Sequence, residues 1–547
     1  MQIVGSGPRG LALLLALVAF AETGCIVRGE ALKAPSQSGA QWVDLRSKHF
    51  HLMTDLDAEE GDGVVRAFEQ GYARLGRVVF GNDTVPDFET QVIAFRSEEE
   101  FREFRPPPLS GQYMAQLPND QEPTPTMLIY GGLSPENRIL FAHELTHRFN
   151  HVAQPAMPVW LNEGIAQYYS TVRGEVDRPV VGETDPRYGF ASGSVRSDPN
   201  HIVFQGGLLA FEDLPRPSAL MQFDRGSFYG TRLAGKQPTS FQSKETMKRN
   251  YAAAWVLVHM LMTDPLGASL TRALQEHRQN GALADALDAL DERAADVDRA
   301  FAQYLRKPIP WREHHEGAAP AVGRLDRRAM AEAEVLVLWA QLDGFLGANA
   351  ERAAERLERA ATLAPDDPTV LFWTARRETL LRRGREAERH LQRALALAPS
   401  HAAAQLALAM LYLDDKTGTT WPAAERDKLA ADAFERLGKI AVTAREHDAV
   451  AIYHLIKTGV ARAIGPAAKA CELDPSCWSC LHTLAAATFR SGDRGRAAAL
   501  ELAAVSRLPE NTNETVVRTL SRDLERYRAA PDAAADQKAG TMLFWPD

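Results

Sequence analysis

Leu363-Ala364-Pro365 recurs as Leu397-Ala398-Pro399, and the 34-residue period so defined constrains the second half of the chain more than any other feature. Leu473-Asp474-Pro475 and Leu508-Pro509 repeat the same step. Between Pro399 and Pro475 the chain fits two further periods with a short surplus. The polar stretch 414–422 accommodates that surplus. A 34-residue unit closed by proline holds two helices and their turns, since proline cannot continue a helix. Alanines stand at the expected helix crossings, and Gly384 and Gly492 at the turns. Such a pair cannot hide its apolar face alone, so neighbours must stack into a superhelix. About five units fit between residues 328 and 510, with 512–530 as a capping helix.

The pattern resembles tetratricopeptide repeats. The resemblance implies a concave face that binds extended peptides, and the alternative is an array that only braces its neighbour. In front of it, a different kind of pattern appears. His143-Glu144-Leu145-Thr146-His147 is followed by Trp160-Leu161-Asn162-Glu163-Gly164. Positions i and i+4 share one helix face, so His143 and His147 can present two imidazoles to one Zn²⁺. Glu163 supplies a third ligand from a second helix, leaving a fourth position for water. Glu144 sits one step round the helix, placed to take a proton from that water. Apolar Ile139, Leu140, Phe141, Ala142 and Phe149 mark the helix as buried, and Pro155 and Pro158 bracket the turn to the next. The competing reading makes the histidines packed core residues and Glu163 an acid favoured by a helix N-terminus.

HELTH followed by PVWLNEGIAQYY resembles the gluzincin metallopeptidases, and in particular bacterial peptidase-MA-like domains. The likeness spans roughly residues 40 to 310 and takes in Trp42-Val43-Asp44-Leu45 and His49-Phe50-His51-Leu52-Met53-Thr54-Asp55. It implies zinc held by His143, His147 and Glu163, and peptide hydrolysis. Tyr251-Ala252-Ala253-Ala254-Trp255 is similar to the helix where aminopeptidase-like members carry an oxyanion-stabilising tyrosine. Tyr251 carries that role over, although Ala253 and Ala254 stand where the pattern has Lys and Gly; otherwise it caps a buried helix. The G-x-M-E-N strand that reads a free substrate N-terminus is missing, which favours an endopeptidase over an aminopeptidase. Met127-Leu128-Ile129-Tyr130-Gly131-Gly132 is the nearest candidate for an edge strand beside the cleft.

The N-terminus points to export. Arg9 precedes an apolar run from Leu11 to Phe20, too short for a membrane span, and Ala19-Phe20-Ala21 matches a small-x-small cleavage site. Residues 1–21 therefore read as a signal peptide, with lipidation of Cys25 the competing view. Either leads to a periplasmic or extracellular location, with membrane contact only through a Cys25 anchor. Cys471, Cys477 and Cys480 form a tight group for which a disulfide is the leading use, joining Cys471 to Cys477 or Cys480 across the turn at Asp474-Pro475. A net charge of −9 without a basic block gives nucleic acid no purchase.

The predicted fold is an α+β metallopeptidase domain, with a small mixed sheet and zinc-binding helices, followed by an all-α tetratricopeptide-like superhelix. A tether over 22–40 leads to an α+β part over 41–126, the zinc-binding part over 127–310, a linker over 311–327 and repeats over 328–547. Residues 173–245, rich in Gly, Pro and Ser, shape substrate access, and Tyr229, Arg196 and Arg232 lie within reach of substrate there. The expected activity is that of an exported zinc peptidase with one Zn²⁺, acting on peptide or protein substrate, with a protein partner on the repeats. The alternative is a repeat-based scaffold with a vestigial or structural metal site, and a weaker third option is hydrolysis of a cell-wall amide.

Overall fold

The computed structural model describes residues 32–80, 89–104, 112–114, 126–132, 135–153, 157–172, 180–182, 201–204, 207–230, 240–275, 282–306, 312–313, 323–344, 349–413, 421–475, 477–508 and 514–529. The signal peptide expected over 1–21, Cys25, Arg196, Arg232 and most of the 414–422 stretch lie outside them.

The front half opens with β1 (Val43–Arg46) and β2 (Phe50–Thr54), then α1 (Ala58–Phe80) and β3 (Thr90–Phe95). α2 (Glu98–Arg102) and β4 (Gln112–Met114) lead to β5 (Thr126–Tyr130). Helix α1 follows from its spacing: Val64, Val65, Phe68, Tyr72 and Leu75 are all buried. The Asp57 carboxylate accepts the Glu60 N–H at 2.8 Å and so satisfies one orphan donor at its start. α3 (Pro135–Ala153) and α4 (Val159–Ser170) carry the two sequence motifs.

The stretch rich in Gly, Pro and Ser holds β6 (Val180–Val181), a hairpin of β7 (His201–Phe204) and β8 (Gly207–Ala210), and short helices α5 (Pro217–Leu220) and α6 (Arg225–Phe228). α7 (Ser240–Thr263) begins well ahead of Tyr251, with a polar first half. α8 (Ala268–Gln275), α9 (Ala282–Glu292) and α10 (Ala294–Tyr304) complete this helical layer, and β9 (Arg312–Glu313) returns to pair with β6.

Residues 326–329, at the expected junction of linker and repeats, form a strand, β10 (Asp326–Ala329), that adds to β1. The sheet order is β10-β1-β2-β3-β5-β4, with β2, β3 and β5 parallel and the others antiparallel to their neighbours. β5 is therefore an inner strand, and the outer position beside it belongs to β4. This corrects the expectation of an edge strand at Met127–Tyr130, since Gln112 to Met114 had too little apolar pattern to read as a strand.

Both faces of the sheet are covered. Phe50, Leu52, Val92, Ala94, Met127 and Ile129 pack with α1, α3, α4 and α7. Met53, Ile93, Phe95 and Leu128 pack instead with Trp42, Met330 and the first repeat helices. The period-2 alternation of a strand thus feeds two cores, which is why β3 and β5 read as nearly continuous apolar runs.

The back half is a file of helix hairpins: α11 (Glu332–Asp343) with α12 (Ala350–Leu363), α13 (Pro368–Leu380) with α14 (Gly384–Leu397), and α15 (Ala402–Leu413) with α16 (Ala423–Ile440). α17 (Ala444–Lys457) with α18 (Val460–Leu473) and α19 (Trp478–Arg490) with α20 (Arg494–Val505) follow, and α21 (Glu514–Arg528) packs on α20. Ala353 and Ala387, Ala360 and Ala394, Ala463 and Ala497, and Ala470 and Ala504 are all fully buried, the members of each pair one repeat period apart. At these crossings a methyl group is all the space admits.

The array is fused to the sheet. Trp42 meets Phe95 at 5.7 Å and Trp339 at 5.9 Å between ring centroids. Arg356 lies over Phe104 and Trp339 and pairs with Asp343 at 2.5 Å, while Arg352 donates to the Glu103 carbonyl at 2.9 Å. The flexible tether expected over 22–40 needs correction for its described part. Ala34 is buried in the sheet–repeat core, and the Ser36 hydroxyl donates to Glu332 at 2.9 Å. Polar composition concealed this, because the anchoring residues belong to segments far along the chain.

The cysteines also pair differently from expectation. Cys477 and Cys480 form the disulfide and Cys471 stays free. The two bonded residues occupy the start of α19, where their Cα atoms are 5.3 Å apart, inside the span a disulfide bridges. No single helix among the described residues is long and apolar enough to cross a membrane.

Candidate metal centre

Helix α3 buries Phe141, Leu145 and Phe149 on one stripe. Its polar members His143 and His147 sit beside that stripe, with side chains only 13% and 12% exposed. Helix α4 follows Pro158, whose carbonyl accepts from Leu161 and Asn162 at 3.0 and 2.9 Å. Almost every α4 residue is buried, Glu163 included. Gly164 makes this possible: a Cβ there would stand 2.7 Å from the Ala254 carbonyl oxygen of α7. Only glycine lets α4 and α7 cross so closely, and that crossing brings Tyr251 to the same place.

The three expected ligands converge. The Glu163 Oε2 atom lies 3.5 Å from His143 Nε2 and 3.4 Å from His147 Nε2, and the two Nε2 atoms are 3.0 Å apart. One ligand atom from each residue falls within a 4.8 Å cluster. Around it the partners are specific. Asn150 donates to Asn162 Oδ1 at 2.8 Å, so that oxygen accepts, and His147 Nδ1 stands 3.2 Å from it. This arrangement puts the proton on Nδ1 and turns the Nε2 lone pair toward the cluster. The Tyr229 hydroxyl donates to Glu163 Oε1 at 2.5 Å.

The other carboxylate oxygen, Oε2, is buried with no hydrogen-bond partner. Burial alone would push the Glu163 carboxyl up, but the charge of His147 and the contacts of both histidines hold it well below the usual range. Burial would likewise lower His147, and the Glu163 charge outweighs that and lifts it to about 9. The desolvation of this buried carboxylate costs several kcal/mol and calls for a cation beside it. Protonated His147 takes that place in the metal-free chain, and a divalent ion would take it when bound. A nitrogen, nitrogen, oxygen set with an orphaned carboxylate oxygen and a fixed tautomer fits a divalent zinc ion.

Glu144 is buried one step round α3, and its charge acts on both His147 and Tyr251. The Tyr251 ring lies 6.5 Å from that of His143 and 6.4 Å from that of Tyr229. Burial first, then the Glu163 charge, raises the Tyr251 phenol well above its ordinary value, so it keeps its proton and can donate. Tyr229 is the residue that the sequence could not single out. It follows α6 in a stretch without helical or strand period, and it gains a role only because α6 packs against α4. Arg196 and Arg232, grouped with it in the sequence, lie outside the described residues.

No protein-family model and no curated protein matches this chain. Among solved structures, it is similar to a thermophilic TPR protein of Thermus thermophilus at 16% identity, covering 36% of this chain and 99% of that one, with a TM-score of 0.29. It is also similar to YrrB, a TPR protein with an unusual peptide-binding site, at 14% identity over 35% of this chain and 89% of that one, TM-score 0.26. MamA is a third, at 14% identity over 33% and 86%, TM-score 0.23. The repeat architecture of this chain stands on its own helix pairing.

Proposed function

We propose that the chain is an exported zinc-dependent peptidase, favouring internal peptide bonds, whose helical array holds a protein partner or the substrate. The observation that carries this reading is the buried Glu163 Oε2, which has no hydrogen-bond partner and faces two imidazole nitrogens at 3.4 and 3.5 Å. His143, His147 and Glu163 would hold the ion. When bound, zinc supplies Lewis acidity, which polarises a carbonyl and makes water acidic enough to react near neutral pH.

The chain's own residues do the rest. Glu144 accepts the proton of the attacking water and returns it to the leaving amine, both transfers being within the reach of one carboxylate. Tyr251, kept protonated, donates a hydrogen bond to the oxygen where negative charge develops. Tyr229 holds Oε1 of Glu163 and so leaves Oε2 for the ion. On the far side of β5, the outer strand β4 offers backbone groups to an extended peptide.

Glu144→Gln in the full chain tests the reading. It is expected to retain zinc and lose turnover of a diverse peptide library, while His147→Ala loses the metal as well. A Glu144→Gln protein that cleaves as fast as the wild type removes the peptidase mechanism. The second reading is a scaffold with a structural metal, favoured by the direct fusion of the first hairpin to the sheet. It predicts metal-dependent folding with no cleavage by either protein.

A further inference from the structure

Outside the metal centre, the C-x-x-C at the start of α19 is the group whose chemistry nothing above uses. Cys477 caps the helix, and the Cys480 N–H donates to the Cys477 sulfur at 3.1 Å. The Ser479 hydroxyl lies 3.3 Å from the same sulfur. The two cysteines are not equivalent: Cys480 is buried at 1% exposure, whereas Cys477 is only half-buried. The bridge is also a poor staple. It encloses only Trp478 and Ser479, so it removes little freedom from the unfolded chain. Backbone bonds already hold its ends, with Cys477 N–H donating to the Asp474 carbonyl at 3.2 Å and Leu481 N–H to the Cys477 carbonyl at 3.1 Å.

We propose that Cys477–Cys480 is a thiol–disulfide exchange site for dithiols, with Cys477 the sulfur attacked and Cys480 the sulfur displaced. A thiolate of the dithiol attacks Cys477 Sγ, forming a mixed disulfide as the Cys477–Cys480 bond breaks and Cys480 leaves as a thiolate that takes up a proton. The second thiolate of the dithiol then attacks its own mixed-disulfide sulfur and expels Cys477. Two electrons pass from the dithiol, which leaves oxidised, to the cysteine pair, which ends reduced. In the reverse direction Cys477 is the nucleophile. Its negative sulfur is stabilised by the positive end of α19 and by hydrogen bonds that a thiolate accepts more strongly than a thiol. Cys471 does not compete: burial, then the charges of Asp448 and Asp474, push its thiol up to about 12.

The experiment uses the full chain, oxidised, and dithiothreitol in graded redox buffers, with thiols located by alkylation and mass spectrometry. The expected result is reversible reduction of one disulfide, alkylation of Cys477 about tenfold faster than of Cys480, and an unchanged circular dichroism spectrum. Cys480→Ser is expected to trap a mixed disulfide when the Cys477 thiolate attacks a disulfide-bonded peptide and one peptide sulfur leaves as a thiolate, and Cys477→Ser to trap none. A pair that resists dithiothreitol in the folded chain overturns the proposal. So does reduction that melts the array, which marks a structural bridge, or trapping on Cys480 or Cys471 in place of Cys477.

Discussion

Two of the buried histidine–carboxylate clusters among the described residues are built to opposite ends. In the repeats, His482 Nδ1 meets both oxygens of Glu501, at 2.8 and 3.0 Å, and both residues are fully buried. In the front half, His143 and His147 face Glu163, one of whose oxygens has no hydrogen-bond partner. The first cluster pairs α19 to α20 and leaves its carboxylate nothing to bind. The second gathers three ligand atoms within 4.8 Å of one another and leaves one carboxylate oxygen without a hydrogen bond. Satisfied polar groups brace a fold, and unsatisfied ones held in place mark where a ligand belongs.

The contrast is sharpest in activity. Glu144→Gln is expected to cut peptide turnover about a thousandfold or more while zinc content, measured by atomic absorption, stays at one ion per chain. Next comes stability. Glu501→Leu removes the carboxylate that the buried His482 ring faces and should cost about 3–5 kcal/mol in urea unfolding. Glu163→Leu removes a carboxylate that has one oxygen without a hydrogen bond, so metal binding is lost while the metal-free chain should be destabilised by less than the Glu501→Leu chain. Equal destabilisation by the two substitutions would erase the distinction between brace and site.

Asp448 adds a pH test within the repeats. It is fully buried, and burial lifts its carboxyl to about 7 against the ordinary 3.8. The folded state therefore holds this proton where the unfolded chain has released it. The stabilisation is complete below about pH 4 and fades as pH rises through 7, by at most about 4 kcal/mol. Asp448→Asn should flatten that decline in unfolding measured from pH 4 to 8. The smallest effect belongs to Tyr229→Phe, expected to weaken metal binding about 10- to 100-fold in competition with a chelator. An unchanged affinity would mean that Tyr229 does not orient Glu163.

Much of this was legible in the chain. HELTH places two imidazoles on one helix face by geometry alone, and the apolar run around Glu163 marks a second buried helix. The repeat period required stacked hairpins, because the buried alanines recur with it. Short-range periodicity has no equivalent for Tyr229, whose value lies in a hydrogen bond to a residue 66 positions earlier. Nor could it show β10, four exposed residues that are a strand only because β1 offers them an open edge.

Local spacing was enough for helices, ligand faces and repeat units, since these depend on neighbours within one or two turns. Long-range packing chose the rest: which strand ends the sheet, which cysteines join, where the tether docks and how the array meets the sheet. Those outcomes turn on contacts between segments far apart in sequence, and each competes with alternatives of similar local energy. Burial and pairing in three dimensions separate them.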